Sequence, residues 1–520
     1  MKAFLQRFAL LVSGVLSGFD RVVFKGKLRQ LYSPDGMNYY MAANHELLKE
    51  FKVHAAAVTQ RVLRASLVAK AKEQDRFVYL NSSQISKDQT AREVADQRGV
   101  QDGLVCVLQC VEPCWMFDLA KKADGKLTVR GEPGKCSYLY HYFIHPEFGW
   151  MYARLQTWFP FEMQVGINGR EWLSRQMDRE KIKYLRNDNK FLWVEDWQRA
   201  QTLLDEQLRT SWVGVLDALQ EQVHPLHPQH LGRMPLRYNW TVFQSEWATD
   251  VAFHSEAELN RWYDRWLRQA ILNYDSIDLL RFMGRTGRLN SNGAPEVETN
   301  LHRFYEGKRI KHWVDHNSLK MYNCFNVLRP ETTITNPRGF QVFRSATNDP
   351  DGPMAWRPMR RTVADMHRRA EVSQKCNERY LEALAATAAT RTVKDLAEPL
   401  TRRVPQPGGT ASRKVRGLNP LAANDAALLT AISDPKWMVN GIRNRDLVAT
   451  LFPTEPQDRA QRRQRSTHVT RLLRLLRAHS LLQKVPHTHR YQISAEARTK
   501  IQALLAARNA NPDELMTKAA

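Results

Sequence analysis

The chain has 520 residues, a formal net charge of +23, 43% hydrophobic residues and 10% aromatic residues. That length exceeds one ordinary domain, and that apolar content excludes a disordered chain. No stretch approaches the ~20 apolar residues of a membrane-spanning helix, and the positive surplus points to a polyanionic partner, because each neutralised phosphate releases counterions.

Lys2 and Arg7 precede the apolar run Phe8–Phe19, which imitates a short signal peptide. No small-x-small cleavage site follows, and the chain runs on into Asp20–Gly26, a β-type segment. The expectation is a retained segment in a cytoplasmic protein. Six cysteines agree with a reducing compartment. Cys106, Cys110 and Cys114 are spaced like metal ligands, but they lie in an apolar run that reads as a buried strand with core thiols.

A first α/β segment, 1–130, is predicted to hold helix over 35–71, a strand at 77–80, helix over 91–98, and the cysteine strand. Pro133-Gly134 reads as a turn. A second, aromatic-rich α/β segment, 131–300, has strands around 136–145 and 154–168, a turn at Asn168-Gly169, and helices from Arg170, over 197–222 and over 256–274. A break falls at 223–228. In the third, 301–402, period-2 alternation predicts antiparallel strands at 308–315, 318–323 and 326–335. A long helix, 357–384, follows. Its Arg360, Arg361 and Arg368 are candidate phosphate contacts, or else part of a salt-bridged face with Glu371 and Glu378. Residues 403–420 read as a linker around Pro-Gln-Pro-Gly-Gly. No internal repeat is legible.

The C-terminal module, 421–510, carries the clearest signal. From Gln457 to Arg490 eight Arg and one Lys stand against a single acid, Asp458. Val469, Leu472, Leu473 and Leu476 recur at helical spacing and define one face; Arg471, Arg474 and Arg477 fall on the other. Two short β-type runs follow around a basic turn. Helix, helix, basic helix, hairpin and helix is the layout of a winged helix-turn-helix. Thr467, His468, Thr470, Arg471 and Arg474 become candidate base or phosphate contacts, and His487, His489 and Arg490 candidate wing contacts. The module resembles winged-helix regulators of the multiple-antibiotic-resistance type, a resemblance that implies a fold. The class expected for the whole chain is α+β multidomain, a mixed helix/sheet body with this module at its end.

Two sites could supply chemistry upstream. Nucleases and transposases hold carboxylates around divalent metals, and Asp20 and Glu112 are the strand-borne pair that would hold Mg²⁺ or Mn²⁺. The second site is Ser318-x-Lys320-x-Tyr322-Asn323 followed by Arg329-x-Glu331. It resembles the region of plasmid and phage rolling-circle replication initiators where a Tyr-bearing strand pairs with an Arg-x-Glu strand, although Cys324 stands where that family often has Lys. The resemblance implies Tyr322 as nucleophile, Glu331 as metal holder, and Lys320 and Arg329 as phosphate contacts. The alternative is an amphipathic sheet whose polar face only binds. Segments such as Val111–Cys114, Arg154–Phe161, Asn168–Trp172 and Gln244–Asp250 resemble a large group of bacterial proteins of similar length, which implies a mobile-element association and supplies no activity. The expectation is a nucleic-acid-binding protein, of DNA or RNA, that processes DNA by strand cleavage or transfer. The rival expectation is a non-catalytic winged-helix regulator or RNA-binding scaffold.

Overall fold

The computed structural model describes residues 1–224, 236–285, 296–387, 393–405, 414–434, 436–437, 441–485 and 488–511. The chain forms two compact units, Met1–Ala388 and Ala389–Ala520, with mixed helix and sheet.

In the first unit, β1 (Val12–Leu28) is followed by β2 (Phe77–Leu80), β3 (Gly103–Lys121), β4 (Leu127–His145), β5 (Gly149–Gln156) and β6 (Met163–Asn168). β7 (Tyr184–Asn187) and β8 (Lys190–Val194) form a separate hairpin. Then come β9 (Tyr238–Phe253), β10 (Glu298–Phe304), β11 (Gly307–Val314), β12 (Asn317–Cys324) and β13 (Val327–Ile334). Eleven strands make one sheet in the order β10-β11-β12-β13-β9-β1-β6-β5-β4-β3-β2. Strands from all three expected segments enter this sheet, and the expected boundary at 130 falls inside β4.

The order is mirrored about the β1–β9 pair. On each side a long strand leads through helices into a four-strand meander, whose last strand returns to pair with the first. The meander is β3 to β6 beside β1, and β10 to β13 beside β9. This repeat lives in topology, which explains why residue patterns did not reveal it.

Helices cover the sheet where its strands are apolar. The helix Gly169–Arg179 packs on β1, and Met366–Thr387 packs on β9 and β13. Phe4 and Phe8 are buried against Trp266, so the signal-like N-terminus is core. Two sequence expectations need correction. Pro133 and Gly134 lie inside β4, where a Cβ on Gly134 would meet the Met116 sulfur at 2.4 Å; this glycine makes room for a cross-strand neighbour instead of turning the chain. The helix expected over 357–384 begins only at Met366. Ahead of it, β14 (Gln341–Arg344) pairs with β15 (Ala355–Pro358), and Pro358 disfavours helix before it.

The second unit contains helices Val393–Thr401, Ala423–Ser433, Asn444–Leu451, Arg459–Ala478 and Ala495–Asn509. Its strands are β16 (Val404–Pro405) paired with β17 (Lys414–Val415), and β18 (Leu482–Lys484) paired with β19 (Tyr491–Ile493). Ile442 bridges to Tyr491, adding a third extended segment to the β18–β19 hairpin. Leu429, Ile432, Leu447, Val469, Leu473, Leu476 and Ile501 form its core. The residues expected as linker straddle 406–413, which lie outside the described residues.

Candidate functional site

The mirrored centre of the first unit holds a cluster of four carboxylates and four cations: Asp20, Glu246, Asp250 and Glu331 with Arg21, Arg170, Lys320 and Arg329. Asp20 sits where β1 departs from regular pairing with β9, between Phe19 opposite Trp247 and Arg21 opposite Glu246. Such an extra residue re-aims a side chain. Register sets Lys320 opposite Glu331 and Tyr322 opposite Arg329, and places Glu331 opposite Ala248 on β9.

Arg329 is the hub. Its Nη2 donates to Asp20 Oδ1 at 2.5 Å, and its Nε lies 3.2 Å from Asp250 Oδ1 and 3.9 Å from Glu331 Oε2. Arg170 Nη2 lies 3.4 Å from Asp250 Oδ2 and donates to the Ala248 carbonyl at 2.9 Å. Lys320 Nζ donates to Glu331 and lies 3.8 Å from Glu246. A polar chain supports Asp20: Asn168, which caps the helix Gly169–Arg179, donates to Asn189 Oδ1 at 2.7 Å, and Asn189 donates to Asp20 Oδ1 at 2.8 Å. Gly169 starts that helix tight against β1, since a Cβ there would meet the Phe19 carbonyl oxygen at 2.2 Å.

Burial and charge compete at every group. Burial opposes ionisation of Asp20, but Arg329, Arg21 and Arg170 prevail and hold its carboxyl below the usual range. For Asp250 burial wins despite Arg329 and Arg170, and its carboxyl is pushed up. Glu246 is pushed up to about 7, by burial first and the Glu331 charge second. Burial pulls Arg170 down, whereas for Arg329 and Lys320 the surrounding carboxylates overcome burial and raise them. The cluster opens to solvent at Arg21, whose side chain is 57% exposed. It can hold charge and, through Glu246, exchange a proton near neutral pH.

The sequence singled out Asp20 and the Lys320–Glu331 region as separate sites; the fold joins them. It does not join Asp20 to Glu112. Glu112 sits on β3, four strand steps from β1, or about 19 Å at ~4.8 Å per step. There it is held by Tyr140 at 2.8 Å, Arg154 at 2.7 Å and Lys87 at 3.0 Å. Among the described residues no group of three or more His, Cys, Asp or Glu is placed to hold a metal ion. Tyr322 is half-buried, and burial together with Glu331 raises its hydroxyl pKa, the reverse of nucleophile activation. Glu246 and Asp250, strand-borne carboxylates passed over in favour of Glu112, and Arg170, which had no sequence signal, complete the cluster. Asp250 and Glu246 alternate along β9 with Ala248, and that two-residue period was the signal that could have found them.

Two of the basic residues before and along the helix Met366–Thr387 share one acid. Arg360 Nε and Arg368 Nη1 both donate to buried Asp365, at 3.0 and 2.8 Å, while Arg361 is exposed. In the second unit, Thr467, His468, Arg471 and Arg474 are exposed on Arg459–Ala478, opposite buried Val469, Leu473 and Leu476. Arg471 and Arg474 have no acidic partner among the described residues. Thr470 instead joins two helices: it donates to the Ser466 carbonyl at 2.9 Å and accepts from Asn444 Nδ2 at 3.0 Å. His489 is exposed and Arg490 half-buried beside β19; His487 lies outside the described residues.

No protein-family model matches the chain, and no curated protein matches it. Among solved structures, the chain is similar to the di-domain ARO/CYC BexL from the BE-7585A biosynthetic pathway, at 11% identity over 59% of this chain and 95% of that one, with a TM-score of 0.15. A likeness at that level assigns neither fold nor activity. No described helix is long and apolar enough to cross a membrane.

Proposed function

We propose that the chain is a nucleic-acid-binding protein whose second unit docks on duplex DNA as a winged helix-turn-helix. The helix Arg459–Ala478 enters the major groove, and the β18–β19 hairpin is the wing that reaches the backbone. The observation that carries this reading is the division of that helix: one face buried in the core, the other offering Arg471 and Arg474, which make no ion pair among the described residues, beside Thr467 and His468. Titration of the full-length protein with labelled duplex DNA at rising salt tests it. Binding should weaken linearly in log–log form, with a slope near −0.9 per phosphate contact. Absence of binding at low salt overturns it.

A second reading, strand cleavage by the first unit, draws on Glu246, pushed up to about 7 at the open end of the charge cluster. A group poised near neutrality is suited to moving a proton. Incubation with single- and double-stranded DNA, with and without Mg²⁺ or Mn²⁺, tests it. Cleavage should be lost in Glu246→Gln and Glu331→Gln; equal cleavage by both variants sinks the reading. Without cleavage of any substrate, the binding-only role as regulator or scaffold stands.

A further inference from the structure

One edge of the large sheet carries rings and cations that the winged-helix reading leaves unused. β10 is the edge strand. Register sets His302 opposite Arg309 and Glu298 opposite Trp313 on β10–β11, then Arg309 opposite Tyr322 and Lys311 opposite Lys320 on β11–β12. Period-2 alternation therefore puts His302, Phe304, Arg309, Lys311 and Trp313 on one face. Phe304 is 43% exposed and Trp313 38% exposed. The Lys311 ammonium lies 3.9 Å from the Trp313 ring centroid, and the Arg309 guanidinium 4.9 Å from that of Phe304. His302 stacks with Phe304 at 6.3 Å.

The opposite face is committed elsewhere. Ile310 is core, His312 meets buried Tyr380, and Lys308 pairs with Asp264. Edge strands usually blunt themselves with charge and avoid large exposed rings. Here rings are kept at the edge and interleaved with cations. Exposed rings beside cations suit a ligand with flat apolar faces joined by negative charge. A duplex hides its base faces in the stack, so the fitting form is unpaired. A second copy pairing edge to edge would seat β10 against β10 and leave Trp313, Arg309 and Lys311, one strand in on β11, without a partner.

We propose that this face of β10–β12 binds single-stranded nucleic acid, with Phe304, Trp313 and His302 as stacking platforms and Arg309 and Lys311 as phosphate contacts. The assignment rests on the reading that the protein binds nucleic acid, but it uses different residues in a different unit, so the two can fail separately.

Full-length protein is titrated by fluorescence anisotropy with labelled oligothymidylate and, separately, with labelled duplex. Phe304→Ala with Trp313→Ala should weaken single-strand binding by about tenfold or more, and leave duplex binding unchanged. Trp313→Phe should retain most of the single-strand affinity, which separates stacking from misfolding. Arg471→Ala with Arg474→Ala should give the reverse pattern. If the ring variant binds oligothymidylate like wild type, or wild type does not bind it, the platform is overturned and the winged-helix reading is untouched. If the arginine variant binds duplex normally while the ring variant loses the single strand, the winged-helix reading fails and the platform stands. If the ring variant loses a dimer seen by sedimentation without losing single-strand affinity, the face belongs to a second copy and the platform is overturned.

Discussion

Arginine does opposite work in the two units. In the first, Arg329, Arg170 and Arg369 are buried and committed: Arg329 to Asp20 and Asp250, Arg170 to Asp250, and Arg369 to the Ile334 carbonyl at 2.8 Å. In the second, Arg471 and Arg474 face solvent on a helix whose apolar side is already buried. A count of 77 Lys and Arg therefore overstates what a polyanion can reach. Cations neutralised inside the fold release no counterions when DNA arrives; only the unpaired ones do.

That contrast breaks most visibly at Arg329. Its removal leaves Asp20 and Asp250 buried without their main counter-charge, and a broken buried pair costs about 3–5 kcal/mol. Arg329→Ala should lower the unfolding free energy of the first unit by that amount, read from intrinsic fluorescence in urea. Arg329→Lys should rescue little, because one ammonium cannot reproduce the separate Nε and Nη2 contacts. Arg329→Met combined with Asp20→Asn should recover part of the loss, since one stranded charge leaves with the cation while Asp250 still faces Arg170. An unchanged midpoint in Arg329→Ala would mean that the cluster is not structural and would move weight to its catalytic reading.

The next effect is pH dependence at Glu246. Its folded pKa of about 7 stands above the ordinary 4.5, so the folded state holds a proton that the unfolded chain has released between those values. Stability from this group is fully present below about pH 4.5, falls as pH rises, and is lost above about 7. At 1.36 kcal/mol per unit the total is about 3 kcal/mol as an upper bound. Glu246→Gln should flatten denaturation midpoints across that window. A wild-type midpoint that rises with pH from 5 to 7 would show that other groups dominate.

Local patterns made parts of this molecule readable and left others hidden. The strands near 308–335 were visible because alternation is local, and they appear as β11, β12 and β13. The C-terminal basic helix was visible because its apolar spacing is local too. What joins β13 to β9, and so Arg329 to Asp250, is a pairing between strands more than seventy residues apart, which no window of sequence contains. The same distance hid the Asp20–Arg329 contact, separated by 309 positions. Arg360 and Arg368 looked like phosphate ligands because Asp365, which claims both, is one acid in a run of arginines and counts little in a charge tally.

The smallest effect tests the other side of the contrast. Arg471 and Arg474 are exposed and make no ion pair among the described residues, so replacing them should barely touch folding, within about 0.5 kcal/mol. Their loss should appear only against DNA. Each phosphate contact removed should reduce the salt slope of duplex binding by about one, and a contact to a base edge should cost about 1–3 kcal/mol on one sequence and nothing on others. Arg471→Ala and Arg474→Ala measured singly, across salt and across several duplex sequences, therefore separate backbone contacts from base contacts. Arg360→Ala with Arg368→Ala is the matched control from the first unit. It strips both partners from buried Asp365, so it should lower stability and leave the salt slope intact. If the control changes the slope as much as the helix variants do, then pairing inside the fold does not decide which arginines meet DNA, and the contrast between the units fails.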